Sequence, residues 1–192
     1  MKKLILVRHC SATGQEPDAA LTLAGEKQAI SLAHFLVEKK LSIQSIISSP
    51  FKRTMQSITP FATEINIPII IDERLTERIL SREPMDDWLQ KLEKTFTNLG
   101  LAFHGGESSQ EAMNRVAPLI QHVLQSEKHT TLIVTHGNLL TLILKMFDQN
   151  IGFSTWKQMS NPDVYEITIT KDETNIKRNF NQWGFSPSPT DC

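Results

Sequence analysis

Two histidines directly follow apolar runs that are typical of buried strands. His9 ends the segment "LILVRH" and His136 ends "LIVTH". Ligands of open α/β sheets bind beyond the carboxyl ends of the parallel strands, so both imidazoles should reach one rim of the sheet. Arg8 precedes the first histidine, and a third run, "IISSP", leads into a helix start that carries Arg53. Two imidazoles between two guanidinium groups predict a site for a phosphoryl group, whose spread negative charge suits arginine forks.

Strands and helices alternate along the chain around these residues. The runs "KLILV", "IQSIISS", "PIIID" and "TTLIVT" predict strands, because they are short, apolar and rich in β-branched residues. Helical patterns lie between them, and "VYEITIT" with "NIKRNFNQW" predicts a hairpin around "KDET". The alternation predicts an α/β three-layer sandwich with a mostly parallel central sheet flanked by helices. The C-terminal hairpin should add edge strands.

Polar residues mark where several helices begin and end. Thr22 can cap the helix that starts at "LAGEK", and Ser108 with Glu111 forms a capping box after a double-glycine turn. Pro50 stands where a helix through "FKRTMQSITPFATEI" can start. Pro60 inside that stretch should kink the helix or end it early.

Composition narrows the class of protein. The 192 residues suit one domain over residues 1–192, with residues 183–192 as a loose tail. Twenty basic and twenty-one acidic residues give a net charge of −1, which predicts no nucleic-acid or membrane partner. The apolar run before Arg8 has only four residues, Leu4 to Val7, which is too few for a secretory signal. No apolar run approaches the ~18 residues of a membrane span. We therefore expect a cytoplasmic protein, and the sequence carries no signal for an oligomeric state.

The two cysteines lie at opposite ends of the chain and show no Cys-x-x-Cys spacing. Cys10 and Cys192 thus predict neither a disulfide framework nor a zinc site. No other metal-ligand spacing occurs, so we expect no metal ion and no other cofactor.

Six blocks along nearly the whole chain resemble the histidine phosphatase superfamily, in its phosphoglycerate mutase-like branch. In order they are "LVRHC", "LTLAGEKQA", "SSPFKRTMQS", "ERLTE", "GGESSQEAMNRV" and "VTHGNLL". The resemblance implies a phosphoglycerate mutase-like fold. It also implies a metal-independent phosphatase that hydrolyses a small phosphate monoester through a phosphohistidine intermediate.

The resemblance assigns roles to the residues at the strand ends. His9 matches the nucleophile, while Arg8, Arg53 and His136 match the side chains that hold the phosphoryl group. Gly137 matches a position whose backbone N–H also reaches the phosphate. General chemistry agrees with these roles, because a neutral imidazole is a good nucleophile and neighbouring arginines disfavour its protonation.

Glu77 in "RLTE" matches the family's proton donor to the leaving group. An alkoxide leaves poorly unless an acid protonates it, so a carboxyl group is required near the ester oxygen. Asp72 and Glu73 are the neighbouring alternatives, and "LTERILSRE" lacks the glycine and the Trp-Glu-Gly often found downstream in the family. Glu77 is the assignment that we prefer.

The opening motif departs from the family pattern of Arg-His-Gly followed by a polar pair and an asparagine. Here those places hold Cys10, Ser11, Ala12 and Gln15. Ala12 lacks a hydroxyl group that could bind phosphate, whereas Gln15 still offers an amide donor and is assigned to substrate binding. Cys10 must either fit as a small side chain or adopt a strained backbone, and we expect it to fit.

The segment between Glu77 and Gly105 should determine substrate specificity. His104, just before the double glycine, is a candidate for the mouth of the pocket. Met85, Trp88 and Phe103 could shape a substrate lid, but we expect them to be buried in ordinary helix packing. Sugar phosphates, phosphoglycerates, nucleotides and phosphoproteins all remain open as substrates.

Three alternative functions share part of this pattern. A mutase shares every catalytic residue. The resemblance implies that the mutases of this family are longer chains, so the short length here favours hydrolysis. A binding module without turnover is disfavoured because the set of site residues is complete. A cysteine-dependent phosphatase would need Cys-x5-Arg, and the arginine position after Cys10 holds Glu16, which would repel phosphate.

Overall fold

A six-stranded mixed sheet organises the computed structural model, which describes residues 1–180. Its strands are β1 (Lys2–Arg8), β2 (Ser45–Ser48), β3 (Ile69–Ile71), β4 (Thr130–Thr135), β5 (Asp163–Ile169) and β6 (Thr174–Phe180). The order across the sheet is β3-β2-β4-β1-β5-β6. The first four strands pair in parallel, β5 runs antiparallel to β1, and β6 runs antiparallel to β5. The predicted mostly parallel sheet with a C-terminal hairpin at one edge is confirmed.

Helices cover both faces of this sheet. They are α1 (Leu23–Glu38), α2 (Lys52–Glu64), α3 (Trp88–Thr97), α4 (Ser109–Gln125), α5 (Gly137–Phe147) and α6 (Phe153–Lys157), with a short 3₁₀ helix at Glu73–Leu75. Side chains alternate along a strand, so β1 sends Ile5 and Val7 into the core under α1 and α2. Leu4 and Leu6 enter the opposite core under α3, α4 and α5. These two cores confirm the predicted three-layer sandwich.

The predicted helix caps form as expected. The Thr22 hydroxyl accepts a hydrogen bond from the Gly25 N–H at 2.9 Å. The Ser108 hydroxyl accepts from the Glu111 N–H at 3.1 Å, and the Glu111 carboxylate accepts from the Ser108 N–H at 2.8 Å. Both orphan donors at the start of α4 are thereby satisfied.

Of the two outcomes expected at Pro60, an early end of the helix does not occur. The helix α2 continues through Pro60 to Glu64. The proline removes only the one hydrogen bond that its N–H would donate four residues back. Phe61 and Ala62, in the following turn, are buried in the core under α1 and α2, and this packing holds the last turn in place.

None of the helices within residues 1–180 is both long enough and apolar enough to cross a membrane. The predicted loose tail, residues 183–192, lies outside the described part of the chain.

Candidate active site

The carboxyl ends of β1 and β4 bring the two histidines together. These strands are parallel neighbours, with Arg8 opposite Thr135. The next residues of the two strands, His9 and His136, therefore lie side by side. The ring centroids of His9 and His136 are 5.2 Å apart, and the rings meet edge to face at 65°. Arg8 and Arg53 lie in the same cluster, and all four side chains are buried.

The ring of His9 is held in one orientation. Its Nδ1 lies 2.7 Å from the carbonyl oxygen of Cys10, which can only accept, so Nδ1 carries the proton and donates it. Nε2 therefore keeps its lone pair, and the Arg53 Nε–H donates to that atom at 3.3 Å. Burial lowers the pKa of His9 well below its usual value, and the charges of Arg8 and Arg53 lower it further. The result is a neutral imidazole with an available Nε2 lone pair.

Backbone carbonyl groups fix the two guanidinium groups beside His9. Arg53 Nη1 donates to the carbonyl oxygens of Gln15 at 3.1 Å and Glu16 at 2.9 Å. Arg8 Nη1 donates to the carbonyl oxygen of Met159 at 3.2 Å. These bonds to neutral groups hold the two guanidinium groups in place, and their positive charges create a strong field for an anion.

The loop that leads into β5 also supports the end of β1. The side-chain amide of Asn161 donates to the carbonyl oxygen of His9 at 2.9 Å. Because the same loop supplies the Met159 carbonyl oxygen to Arg8, it fixes both residues at the strand end. Sequence reasoning missed this support, since nothing local in "SNPDV" indicates a contact 152 residues away.

His136 completes the cluster from the other strand. Its Nε2 lies 2.9 Å from the hydroxyl oxygen of Ser49, while its buried Nδ1 has no hydrogen-bond partner within residues 1–180. Burial is the main cause that lowers the pKa of His136 well below its usual value, and the neighbouring His9 and arginines add to it. A neutral ring whose Nε2 accepts from Ser49 leaves an Nδ1–H to donate to a bound anion.

Gly137 is the first residue of α5, where the helix N-terminus favours negative charge. A Cβ atom at this position would lie 3.0 Å from Arg8 Nε. Glycine therefore lets the guanidinium approach the helix start closely. The predicted role of its backbone N–H in phosphate binding is compatible with this position.

The Glu77 carboxylate caps the same helix. Its Oε2 accepts from the Asn138 N–H at 3.0 Å, and its Oε1 accepts from the N–H groups of Leu139 and Arg78, each at 2.9 Å. Oε2 accepts a single N–H in these contacts and so retains a lone pair that can carry a proton. Glu77 is thereby anchored next to His136.

The alternative carboxylates point elsewhere. Asp72 caps the 3₁₀ helix through the Arg74 N–H at 2.9 Å and pairs with the Arg74 guanidinium at 2.6 Å. It lines a separate cavity of about 490 Å³ together with residues of α4. Glu73 lines neither this cavity nor the one beside the histidine cluster. The geometry thus agrees with the preference for Glu77.

A cavity of about 730 Å³ opens beside the histidine cluster. Its polar end is lined by Gln15, Arg53, Glu77 and Asn138, of which all but Asn138 were predicted as site residues. Asn138 is buried, and its Oδ1 has no hydrogen-bond partner within the described range. The position of Asn138 directly after His-Gly in "VTHGN" is the sequence signal that could have identified it as a site residue.

Side chains between Glu77 and Gly105 divide between the cavity, the core and the solvent. His104 does not line the cavity: its side chain is 79% exposed, and its Nδ1 faces the Glu83 carboxylate at 3.3 Å. The turn before Gly105 directs this ring towards solvent. Trp88 packs against the core as expected, and it also lines the cavity together with Met85, whereas Phe103 does not line it.

Cys10 fits without strain, as expected. Within residues 1–180 the non-glycine positions with positive φ are Lys40, Ser42 and Asn66, so Cys10 is not left-handed. Its side chain is fully buried in the core under α1 and α2, and its N–H donates to the Ser57 hydroxyl at 2.8 Å. Burial raises the pKa of the thiol to about 12, so the thiolate that a cysteine nucleophile needs is scarce.

We predict that Cys10→Gly keeps kcat/KM within roughly tenfold of the wild-type value, about 1.4 kcal/mol in barrier height. The thiol lies in the core beside the Ser57 hydroxyl, and its loss should appear mainly as reduced thermal stability. Steady-state kinetics together with a melting curve would check this. A collapse of turnover in a folded variant would show that the thiol takes part in the chemistry.

The two buried histidines predict a loss of stability in mild acid. Their pKa values in the folded protein lie well below the usual 6.5, so the unfolded chain binds more protons once the pH falls below about 6.5. The stabilisation is complete above that pH and is lost as the pH falls towards the folded-state values. Each histidine contributes a slope of up to ~1.4 kcal/mol per pH unit.

Denaturant unfolding of the protein between pH 7.5 and 5 would measure this slope. The His136→Asn variant removes one of the two titrating rings and should show a shallower slope over the same range. An identical slope in the wild type and the variant would contradict the assignment of the effect to His136.

The sequence and the fold both resemble those of known proteins. A family model described as "Histidine phosphatase superfamily (branch 1)" matches residues 4–182. A curated protein of Hydrogenobacter thermophilus named phosphoserine phosphatase 1 is 30% identical over 157 residues, which cover 70% of each chain.

Solved structures share the fold at lower identity. A mycobacterial glucosyl-3-phosphoglycerate phosphatase superposes with a TM-score of 0.75 at 19% identity, covering 97% of this chain and 100% of the other. Bacillus stearothermophilus YhfR gives a TM-score of 0.74 at 21% identity, covering 93% and 96% of the two chains. These likenesses place the two-histidine cluster on a fold already seen in solved proteins.

Proposed function

The chain belongs to the histidine phosphatase superfamily, and from this premise we propose that it hydrolyses phosphate monoesters through a phosphohistidine formed on His9. The observation that carries the proposal is the state of the His9 ring. Nδ1 is committed to the Cys10 carbonyl oxygen, and Nε2 presents its lone pair beside the Arg53 guanidinium. A nucleophile and a phosphate-binding cation are thus already in contact.

The first half of the reaction transfers the phosphoryl group to the enzyme. The guanidinium groups of Arg8 and Arg53 and the His136 Nδ1–H bind the non-bridging oxygens, and each such donor is worth a factor of ~100 or more in rate. His9 Nε2 attacks phosphorus, and the bond from phosphorus to the ester oxygen breaks. A proton on Glu77 Oε2 passes to the departing oxygen, so that an alcohol leaves instead of an alkoxide.

The second half returns the enzyme to its starting state. A water molecule in the space vacated by the alcohol gives its proton to the Glu77 carboxylate and attacks phosphorus. The bond from phosphorus to His9 Nε2 breaks, and inorganic phosphate is released. His9 is neutral again and Glu77 is protonated again, so the cycle balances with one water consumed per ester.

The names of the relatives support hydrolysis, since the curated protein is a phosphoserine phosphatase and the structural neighbour is a glucosyl-3-phosphoglycerate phosphatase. They also make phosphoserine and phosphoglycerate esters the first compounds to assay. Within residues 1–180, no three His, Cys, Asp or Glu side chains are grouped so that they could hold a metal ion. The steps above use only the side chains of this chain.

The test follows both products of the reaction. The protein is mixed with a panel of phosphate monoesters, free phosphate is measured, and samples are quenched during turnover to detect acid-labile phosphate on the chain. We expect phosphate release and a trapped phosphohistidine that maps to His9. Formation of a phosphate isomer without release would instead show a mutase, and binding without either product would show a module that has lost turnover.

A further inference from the structure

Apolar side chains form most of the cavity beyond its polar end. They include Phe51, Leu80, Met85, Trp88, Leu92 and Trp156. The rings of Trp88 and Trp156 meet edge to face, with centroids 6.3 Å apart and an angle of 84°. The ring of Phe153 stacks on that of Trp156, with centroids 5.5 Å apart and an angle of 21° between the rings. The aromatic wall is therefore backed by further packing and does not depend on a ligand for its shape.

Four charged side chains line this cavity, and each of them already contacts other groups of the protein. Arg53 belongs to the phosphoryl site, and Glu77 caps α5. The buried Arg78 donates through Nη1 to the Ser109 hydroxyl at 3.0 Å and through Nη2 to the Thr95 hydroxyl at 3.1 Å, so its guanidinium is committed to the protein.

The fourth charge, Glu83, is itself negative and lies exposed at the rim of the cavity. A carboxylate that entered would meet this charge and apolar walls, and Arg78 would have to give up its hydrogen bonds to Ser109 and Thr95 to reach it. Burying an unpaired charge is strongly unfavourable, whereas an apolar group gains free energy from the same walls.

We propose that the leaving group of the substrate is a bulky, uncharged, apolar alcohol with an aromatic ring or a branched alkyl chain. This inference rests on the proposed function, since it describes the alcohol half of the same ester. The volume of about 730 Å³ is that of a site for a drug-sized molecule and far exceeds the needs of a three-carbon acid. Phosphoserine and 3-phosphoglycerate both carry a carboxylate and leave the aromatic wall unoccupied.

The direct test compares esters of similar intrinsic reactivity. The compounds 2-(2-naphthyl)ethyl phosphate, ethyl phosphate and phosphoserine are all esters of primary alcohols, so differences in kcat/KM report on the cavity. Each methylene-sized apolar contact is worth a factor of roughly 10 or more. We expect the naphthylethyl ester to exceed both others by at least about 100-fold.

Each outcome of that assay has one meaning. Phosphoserine hydrolysis as fast as that of the naphthylethyl ester overturns the proposed leaving group while leaving the phosphatase function intact. Release of phosphate from none of the three esters counts against the phosphatase function itself.

A matched pair of variants locates the effect in the aromatic cavity. Met85→Lys puts a cation into the wall, while Leu89→Lys puts the same charge on a side chain that is 39% exposed and does not line the cavity. Met85→Lys should lower the naphthylethyl-to-ethyl ratio of kcat/KM at least about tenfold, and Leu89→Lys should leave that ratio unchanged. An unchanged ratio in both variants would contradict the proposal.

Binding to the wild-type protein gives a test that needs neither a variant nor turnover. The probe is 2-(2-naphthyl)ethylphosphonate, which cannot be hydrolysed, with ethylphosphonate as its matched control. Because Trp88 and Trp156 line the cavity, the naphthyl probe should change tryptophan fluorescence and bind at least about 30-fold more tightly. Equal affinity for the two phosphonates would overturn the inference even if the enzyme proves to be a phosphatase.

Discussion

The His9→Ala variant should lose turnover almost completely, with kcat lower by about 10⁴-fold or more. The substitution removes the atom that forms the bond to phosphorus, and no neighbouring group can replace it. The thiol of Cys10 is buried and protonated, and His136 holds its Nε2 against the Ser49 hydroxyl. The acid-labile phosphate trapped during turnover should disappear together with activity.

Binding should survive this loss, because Arg8 and Arg53 remain. Titration of the variant with inorganic phosphate should still show saturation, which separates a lost nucleophile from a lost pocket. His34→Ala is the matched control, since His34 is exposed on α1 and does not line the cavity beside the histidine cluster. A His9→Ala variant that retained turnover, with a Cys10→Ser variant that lost it, would show that the nucleophile had been misassigned.

The Glu77→Gln variant should lower kcat for alkyl esters by about 10²- to 10⁴-fold, the usual contribution of a general acid or base. An amide cannot give a proton to the departing oxygen, and it cannot take one from the attacking water. Glutamine retains one acceptor oxygen for the N–H groups at the start of α5. The cost in stability should therefore stay near ~1 kcal/mol, the size of a lost helix cap.

The choice of leaving group separates the two roles of Glu77. Nitrophenolate leaves without a proton, so the variant should still form the phosphohistidine rapidly from 4-nitrophenyl phosphate and then hydrolyse it slowly. Rapid mixing should show a burst of nitrophenolate equal to the enzyme concentration. Alkyl esters should show no corresponding burst of their alcohol. Equally slow first turnovers with both kinds of ester would exclude Glu77 as the proton donor.

Glu73→Gln serves as the control for this experiment. Glu73 begins the 3₁₀ helix four residues earlier and lines neither cavity. The same chemical change at that position should leave both phases of the reaction as they are in the wild-type protein.

Much of the active site follows from the sequence because parallel strands end at one rim. Once "LILVRH" and "LIVTH" are buried neighbouring strands, their register places His9 next to His136. The caps at Thr22 and Ser108 were equally accessible, since each bond spans only three residues. Local spacing is sufficient wherever the contact is local or the sheet itself supplies the geometry.

The tertiary structure decided what depends on distant parts of the chain. Glu77 meets the start of α5 across 61 residues, and Asn161 reaches the carbonyl oxygen of His9 across 152. Between Glu77 and Gly105, packing turned Met85 and Trp88 into the cavity and His104 towards solvent. The residue types in that segment do not encode those directions, because a loop without a fixed period takes its side-chain orientations from the elements that it packs against. The sequence by itself therefore determined which side chains meet at this rim, whereas the shape and polarity of the cavity beside them emerged only on folding.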